Sequence, residues 1–288
     1  MSAVQQATVA APPRGRRPDR LPGVGTLTLV RAGVELRQFL RERDAVIFVF
    51  AYPVIMLAIF STVFSDAQQG AEGVEVDFAR YFLPGMIATG IMLTGFQSIA
   101  ISIAVERDDG TLRRLRATPL PATAYFGGKV VLTLATSVAQ TVTLLAVAAL
   151  VYDVPMPTDA ADWATFAWVF TLGTATGAVC GVGFSSVPRS GRSASAVVTP
   201  VVLILQFISG VFFAFYALPG WMQTVASVFP LKWLAQGMRS VFLPPELEIL
   251  EVGESWQLGA VAAVLTAWLV VGLVLGVRSF RWRRRDDG

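Results

Sequence analysis

A dense run of ionisable side chains lies between two apolar blocks, Glu106 to Lys129, ERDDGTLRRLRATPLPATAYFGGK. Its carboxylates and guanidinium groups can pair with charges on another macromolecule, but they compose no catalytic set. The chain has no His, which removes the commonest general base and metal ligand. A single Cys, Cys180, cannot close an intrachain disulfide and leaves the redox compartment unread. Gly127, Gly128 and Lys129 lack the G-x-x-x-x-G-K-[ST] spacing of a phosphate loop, and so does GRSASA at Gly191. No metal site, catalytic residue or nucleotide site is therefore expected in this chain.

Within the run, Gly110 permits a turn and Thr111 can cap a helix start. Leu112 and Leu115 then fall at i and i+3, flanked by Arg113, Arg114 and Arg116. Pro119 pushes Thr118 toward extended geometry and ends the helix, and Pro121 stiffens the exit. The expected product is a short rigid helix pinned at both ends. Its leucines would enter a partner's groove while its arginines meet carboxylates at the rim. The competing reading is a loop that collects Arg only to set topology.

The elements that must hold this run are apolar. The 288 residues are 54% hydrophobic and only 15% charged, where soluble proteins carry about 25%, and the mean hydropathy is +0.60. Six blocks, about 45–64, 82–105, 127–152, 164–187, 195–216 and 256–280, are each long enough to cross a hydrocarbon core of about 30 Å as a helix. None alternates in polarity as a spanning strand does. The expected fold class is an all-α integral membrane protein with six transmembrane helices.

Of the 23 basic residues, 20 fall before span one, between spans two and three (Lys129 just inside span three), between spans four and five, or near the chain's end. Basic residues favour the cytoplasmic side, so both termini are placed there. Residues 1–25, rich in Ala, Pro, Gly and Arg, are read as a disordered cytosolic tail, residues 26–280 as the membrane domain, and 281–288 as a basic cytosolic tail. No cleaved signal is expected, because the first apolar block is itself long enough to span.

Thr26 to Asp44 is read as an amphipathic interfacial helix. Leu27, Val30, Val34, Leu36, Phe39 and Leu40 form its apolar side, and Arg31, Glu35, Arg41 and Glu42 its opposite, polar side. Ala217 to Leu243 is apolar but broken by Pro219, Gly220 and Pro230, and it would bury Lys232 if it crossed. It is read as two short amphipathic helices that re-enter the outer leaflet and pack on spans five and six.

Within the spans, Gln97, Gln140 and Gln206 either face cargo or bond a neighbouring helix, the second being preferred. Phe212, Phe213, Phe215, Trp221 and Phe229 are read as interfacial anchors or, alternatively, as a gate over a cargo exit. Gly173, Gly177 and Gly181, with Gly272 and Gly276, permit close helix contact inside the subunit or between subunits. Pro53 and Pro200 should bend spans one and five.

The 106–129 run resembles the hallmark loop of ATP-binding-cassette type-2 exporter permeases, most of all the daunorubicin-resistance-type drug permeases. The resemblance is carried by Glu106, Gly110, Thr111, Leu112, Arg113 to Arg116, Thr118, Pro119, Gly128 and Lys129. A second stretch, ISGVFFAFYALPGWMQTVASVFPLKWLAQGMRSVFL, is similar to the family at Ser209, Gly210, Leu218, Pro219, Trp221, Phe229, Pro230, Leu231, Met238, Arg239 and Leu243. It departs at Ala214–Phe215, where relatives carry a Pro.

The resemblance implies a half-transporter whose 106–119 segment becomes a coupling helix on a separate ATPase. It implies two such ATPase subunits per complex, binding ATP and magnesium there rather than here, and a second permease subunit as a homodimer. It also implies membrane lipid as surroundings, no nucleic-acid partner, and a bacterial cell membrane as location. The absence of charge in mid-span argues against ion-coupled transport and points to apolar or amphipathic cargo moved outward. A non-transport membrane scaffold is the alternative.

Overall fold

A computed structural model describes residues 22–65, 69–71 and 73–279. The expected tails at 1–21 and 281–288 lie outside the described residues, whereas Val24 and Gly25, expected in the tail, open the first helix.

Eleven α-helices make up most of the described residues. Helix α1 (Val24–Arg41) leads directly into α2 (Arg43–Val63). A small antiparallel hairpin, β1 (Gln69–Ala71) with β2 (Val74–Val76), pairs Gly70 with Glu75. Then come α3 (Phe78–Ile91), a π-helical turn at Met92–Gln97, and α4 (Ser98–Asp108). The short α5 (Thr111–Arg116) precedes α6 (Ala122–Val151), α7 (Ala160–Phe184) and α8 (Gly191–Ile208). Helices α9 (Gly220–Val228) and α10 (Pro230–Phe242) fill the stretch before α11 (Leu258–Ser279).

Six of these units are long and apolar enough to cross a membrane: α2, the continuous α3–π–α4 rod, α6, α7, α8 and α11. Most ends move by two to five residues from the sequence expectation. Span five differs more. It stops at Ile208 rather than 216, because Gly210 takes φ +74 and turns the chain back. A residue with a Cβ rarely adopts that backbone, so glycine punctuates an apolar run that composition reads as continuous.

The α3–π–α4 rod is the axis of the bundle. In its most apolar window 78% of residues are buried, against 22% for α2 and α11, whose apolar outer faces are left for lipid. Close approach is bought with small residues inside the subunit. A Cβ on Gly181 of α7 would lie 2.7 Å from the Phe96 carbonyl oxygen, and one on Gly272 of α11 would lie 2.9 Å from the Cys180 nitrogen. The glycine stripes therefore pack α7 against the rod and α11 against α7.

The segment between α8 and α11 packs more deeply than expected. At 9 and 13 residues, α9 and α10 are too short to cross. Yet α10 packs on α3, α7 and α11, that is on spans two, four and six, while α9 rests on α8. The expected packing on spans five and six is therefore present, through α9 and α10 respectively, and the added burial of α10 against spans two and four leaves it almost wholly buried. Its polar stripe, Lys232, Gln236 and Arg239, points inward because internal partners await it: Arg239 pairs with Glu251, and Gln236 Nε2 donates to the Trp256 carbonyl at 2.9 Å.

Candidate functional site

At the end of the bundle where α4 meets α6, the sequence folds its charges inward. Gly110, at φ +79, reverses the chain after α4. The Thr111 N–H donates to Asp109 Oδ1 at 2.8 Å, so the side chain satisfying the start of α5 is Asp109 rather than Thr111. Arg114 donates back to Thr111 Oγ1 at 3.1 Å, and the helix ends before Pro119. Leu112 is fully buried with Ile103 and Tyr125, and Leu115 packs on the same cluster. The expectation that these leucines enter a partner's groove is thereby corrected: they anchor α5 to its own bundle. Arg113, Arg114 and Arg116 remain on the exposed face.

Glu106 does not project outward. Its carboxylate accepts from Tyr125 Oη at 2.6 Å and from Lys129 Nζ at 2.8 Å. Lys129, 3% exposed, donates also to Glu35 Oε2 and to Ser102 Oγ, each at 3.2 Å. Its three N–H groups are all directed to protein. Arg31 closes the set, pairing with Glu35 one turn along α1 and approaching Glu106 at 3.5 Å. Two cations and two carboxylates thus balance in a buried cluster that joins α1, α4 and α6.

The polar side of α1 is turned inward over this turn. Arg31 and Glu35 face the protein, while Leu29, Val30, Val34, Leu36 and Leu40 are exposed. The Gly127–Gly128 pair makes the contact possible, since a Cβ on Gly128 would sit 2.6 Å from Arg31 Cγ and 3.1 Å from the Ala32 nitrogen. A bare backbone lets α1 lie on α6, and the next residue, Lys129, meets Glu35. Sequence reasoning had no signal for this pairing, because Glu35 and Lys129 are 94 positions apart.

Arg107 extends the same structure sideways. It donates to the Ser185 and Pro188 carbonyls at 2.9 and 2.8 Å, fastening the α7–α8 connection to α4.

Beside the cluster lies a cavity of about 650 Å³ between α1, α2, the α3–π–α4 rod and α6. Glu35, Glu106 and Lys129 form part of its wall, Asp109 and Thr111 also border it, and Gln97 lies on the span-two side. The other two glutamines lie elsewhere. Gln206 accepts from Tyr52 Oη at 3.0 Å, linking α8 to α2, and Gln140 is pressed against Gly90.

The aromatic residues do not converge on one constriction. Phe212 joins a buried cluster with Phe60 at 5.6 Å and Phe207 at 4.9 Å. Phe215 lies under Lys232, Phe229 stacks on Trp268, and Phe213 and Trp221 are exposed. Lys232 itself is buried 3.7 Å from the Trp233 ring centre, and burial brings its pKa down to about 8.

A protein of Porphyra purpurea named "Putative transport permease ycf38" is 22% identical over 226 residues, covering 76% of this chain and 77% of that one. Residues 27–243 match the family described as ABC-2 type transporter, a range that runs from α1 through α10 and takes in both the α5 loop and the ion cluster. With six apolar helices of spanning length, this is a multi-pass membrane protein and a transport permease subunit. The chain belongs to the ABC-2 type transporter family.

Proposed function

We propose that this chain is the membrane half of an ATP-driven exporter of the daunorubicin-resistance type, moving a hydrophobic or amphipathic compound outward. A separate pair of ATPase subunits binds ATP and magnesium, and two copies of this chain form the pathway in a bacterial plasma membrane with both termini cytoplasmic. Segment 106–119 is the coupling element, with Arg113, Arg114 and Arg116 as its partner-facing charges. Charge placement supports this orientation, since α5 lies at the Arg-rich end of every span.

The observation that carries the reading is the anchorage of α5. Its leucines are fixed in the bundle and Glu106, four residues before Gly110, is locked to α1 and α6. A push on the exposed arginines is thus delivered to spans two and three and to α1 together, rather than dissipated in a loose loop. The α9–α10 segment, at the opposite end, is assigned to the outer leaflet.

Vesicle transport with the cognate ATPase tests the proposal. Arg114→Glu should cut ATP-driven transport at least tenfold through lost docking, and Glu106→Ala should do so with docking retained. Undiminished transport in both variants would overturn the coupling role. A scaffold without transport activity would leave no ATP-dependent flux of any amphiphile to lose.

A further inference from the structure

The cavity beside the ion cluster carries information about what it holds. Its volume of about 650 Å³ falls within the roughly 300–1,000 Å³ of sites that house drug-sized ligands. Phe48, Val49, Leu93 and Leu132 give it an apolar side. Gln97 occupies the last position of the π-helical turn, a local geometry that recurs at functional sites. Gln97 Oε1 is buried with no hydrogen-bond partner among the described residues. An unpartnered buried amide carries a desolvation penalty that a ligand O–H or N–H relieves.

Charge narrows the class further. The cation deep in the wall, Lys129, already directs its N–H groups to Glu35, Glu106 and Ser102. Arg41 is the second cation of the lining, and the two face four carboxylates there, Glu35, Glu42, Glu106 and Asp109. That excess of carboxylate in the wall repels an anionic head.

We infer that this cavity binds an uncharged amphiphile, with an apolar body and a head bearing hydroxyl or amide groups, and that Gln97 recognises the head. That the occupant is cargo rests on the permease reading; that it binds does not. The apolar body lies along Phe48 and Leu93, and the head satisfies the Gln97 amide.

The test uses the assembled permease–ATPase complex in nanodiscs, with Cys180→Ser and a Ser98→Cys reporter on the cavity wall. N-ethylmaleimide labelling is timed in the presence of decyl glucoside, decyl sulfate or decyltrimethylammonium, each below its micelle concentration. The glucoside should slow labelling at least tenfold, the sulfate should not, and the trimethylammonium head, lacking any O–H or N–H, should protect less than the glucoside. Adding Gln97→Leu should raise the glucoside concentration needed at least tenfold. Protection by either ionic probe equal to the glucoside's, no protection by the glucoside, or full protection with Gln97→Leu overturns the inference. If the Gln97→Leu complex does not assemble, the three-probe comparison decides alone. Protection without ATP-driven transport would sink the permease reading and leave the binding site standing; transport without protection would do the reverse.

Discussion

The two ends of the bundle bury charge in opposite ways. At the α5 end, Arg31, Glu35, Glu106 and Lys129 come from three helices far apart in sequence, and the last three border a cavity. At the α10 end, Arg239 and Glu251 are 12 residues apart, and Lys232 leans on Gln236 within one helix. The first cluster ties distant spans together beside open space. The second is local and packed, with the fully buried Arg239 side chain reaching the Gly210 carbonyl at 3.3 Å. A network that joins separate elements makes their motions interdependent, whereas one confined to a short segment fixes that segment's own shape.

Breaking the local pair should have the largest effect on stability. Glu251→Ala leaves Arg239 charged without its carboxylate. Burial alone would lower the arginine's pKa, but the Glu251 carboxylate outweighs it and holds the guanidinium ionised. Losing one partner of such a pair costs about 3–5 kcal/mol. Thermal unfolding of the purified protein should show the fall.

Next in size is a pH effect confined to the same end. Burial lowers the Lys232 pKa from 10.5 to about 8, with Glu251 opposing and Arg239 reinforcing the shift. Between about pH 8 and 10.5 the unfolded lysine keeps a proton that the folded one has lost, so stability should rise with pH there. The rise is up to about 3 kcal/mol, and below that window the full cost of the folded-state charge is present. Lys232→Met should flatten the rise in unfolding temperature against pH. An identical slope in the variant would remove Lys232 as its source.

The inter-helix cluster should show its character in coupling rather than in size. A double-mutant cycle of Glu106→Gln and Lys129→Met should give an interaction energy of about 1–3 kcal/mol, read from denaturant unfolding. The same cycle on Glu35 and Glu106 should also be non-additive, because both carboxylates hold one ammonium. Additivity in both cycles would erase the contrast between the two ends. Smallest of all, Arg114→Glu on the exposed face of α5 should change stability by no more than about 0.5 kcal/mol.

The spans were legible because length and hydropathy decide them, with most ends off by a turn or less. The interior of the site was less so. Amphipathic patterning put Arg31 and Glu35 on the polar side of α1 but could not say what that side meets; Lys129 and Glu106, on other helices, give them reason to face in. Nor could patterning name the partners of the polar stripe of α10, Glu251 and the Trp256 carbonyl, which lie within the bundle. Gln97 stood out as a polar residue in a span, but nothing in MLTGFQ announces a π-helical turn. Gly127–Gly128–Lys129 was visible as a pattern, and its meaning appeared only with α1 lying on it.

That wide turn in the middle of span two sets an azimuth. A helical path with one surplus residue arrives at its far end rotated by about 100° from the path without it. Remove a single residue between 92 and 97, and Glu106 would swing a quarter of the way round the rod, away from Lys129 and Tyr125. The bond between the inward-folded carboxylate and its ammonium is thus a matter of phase, tuned two to three turns upstream.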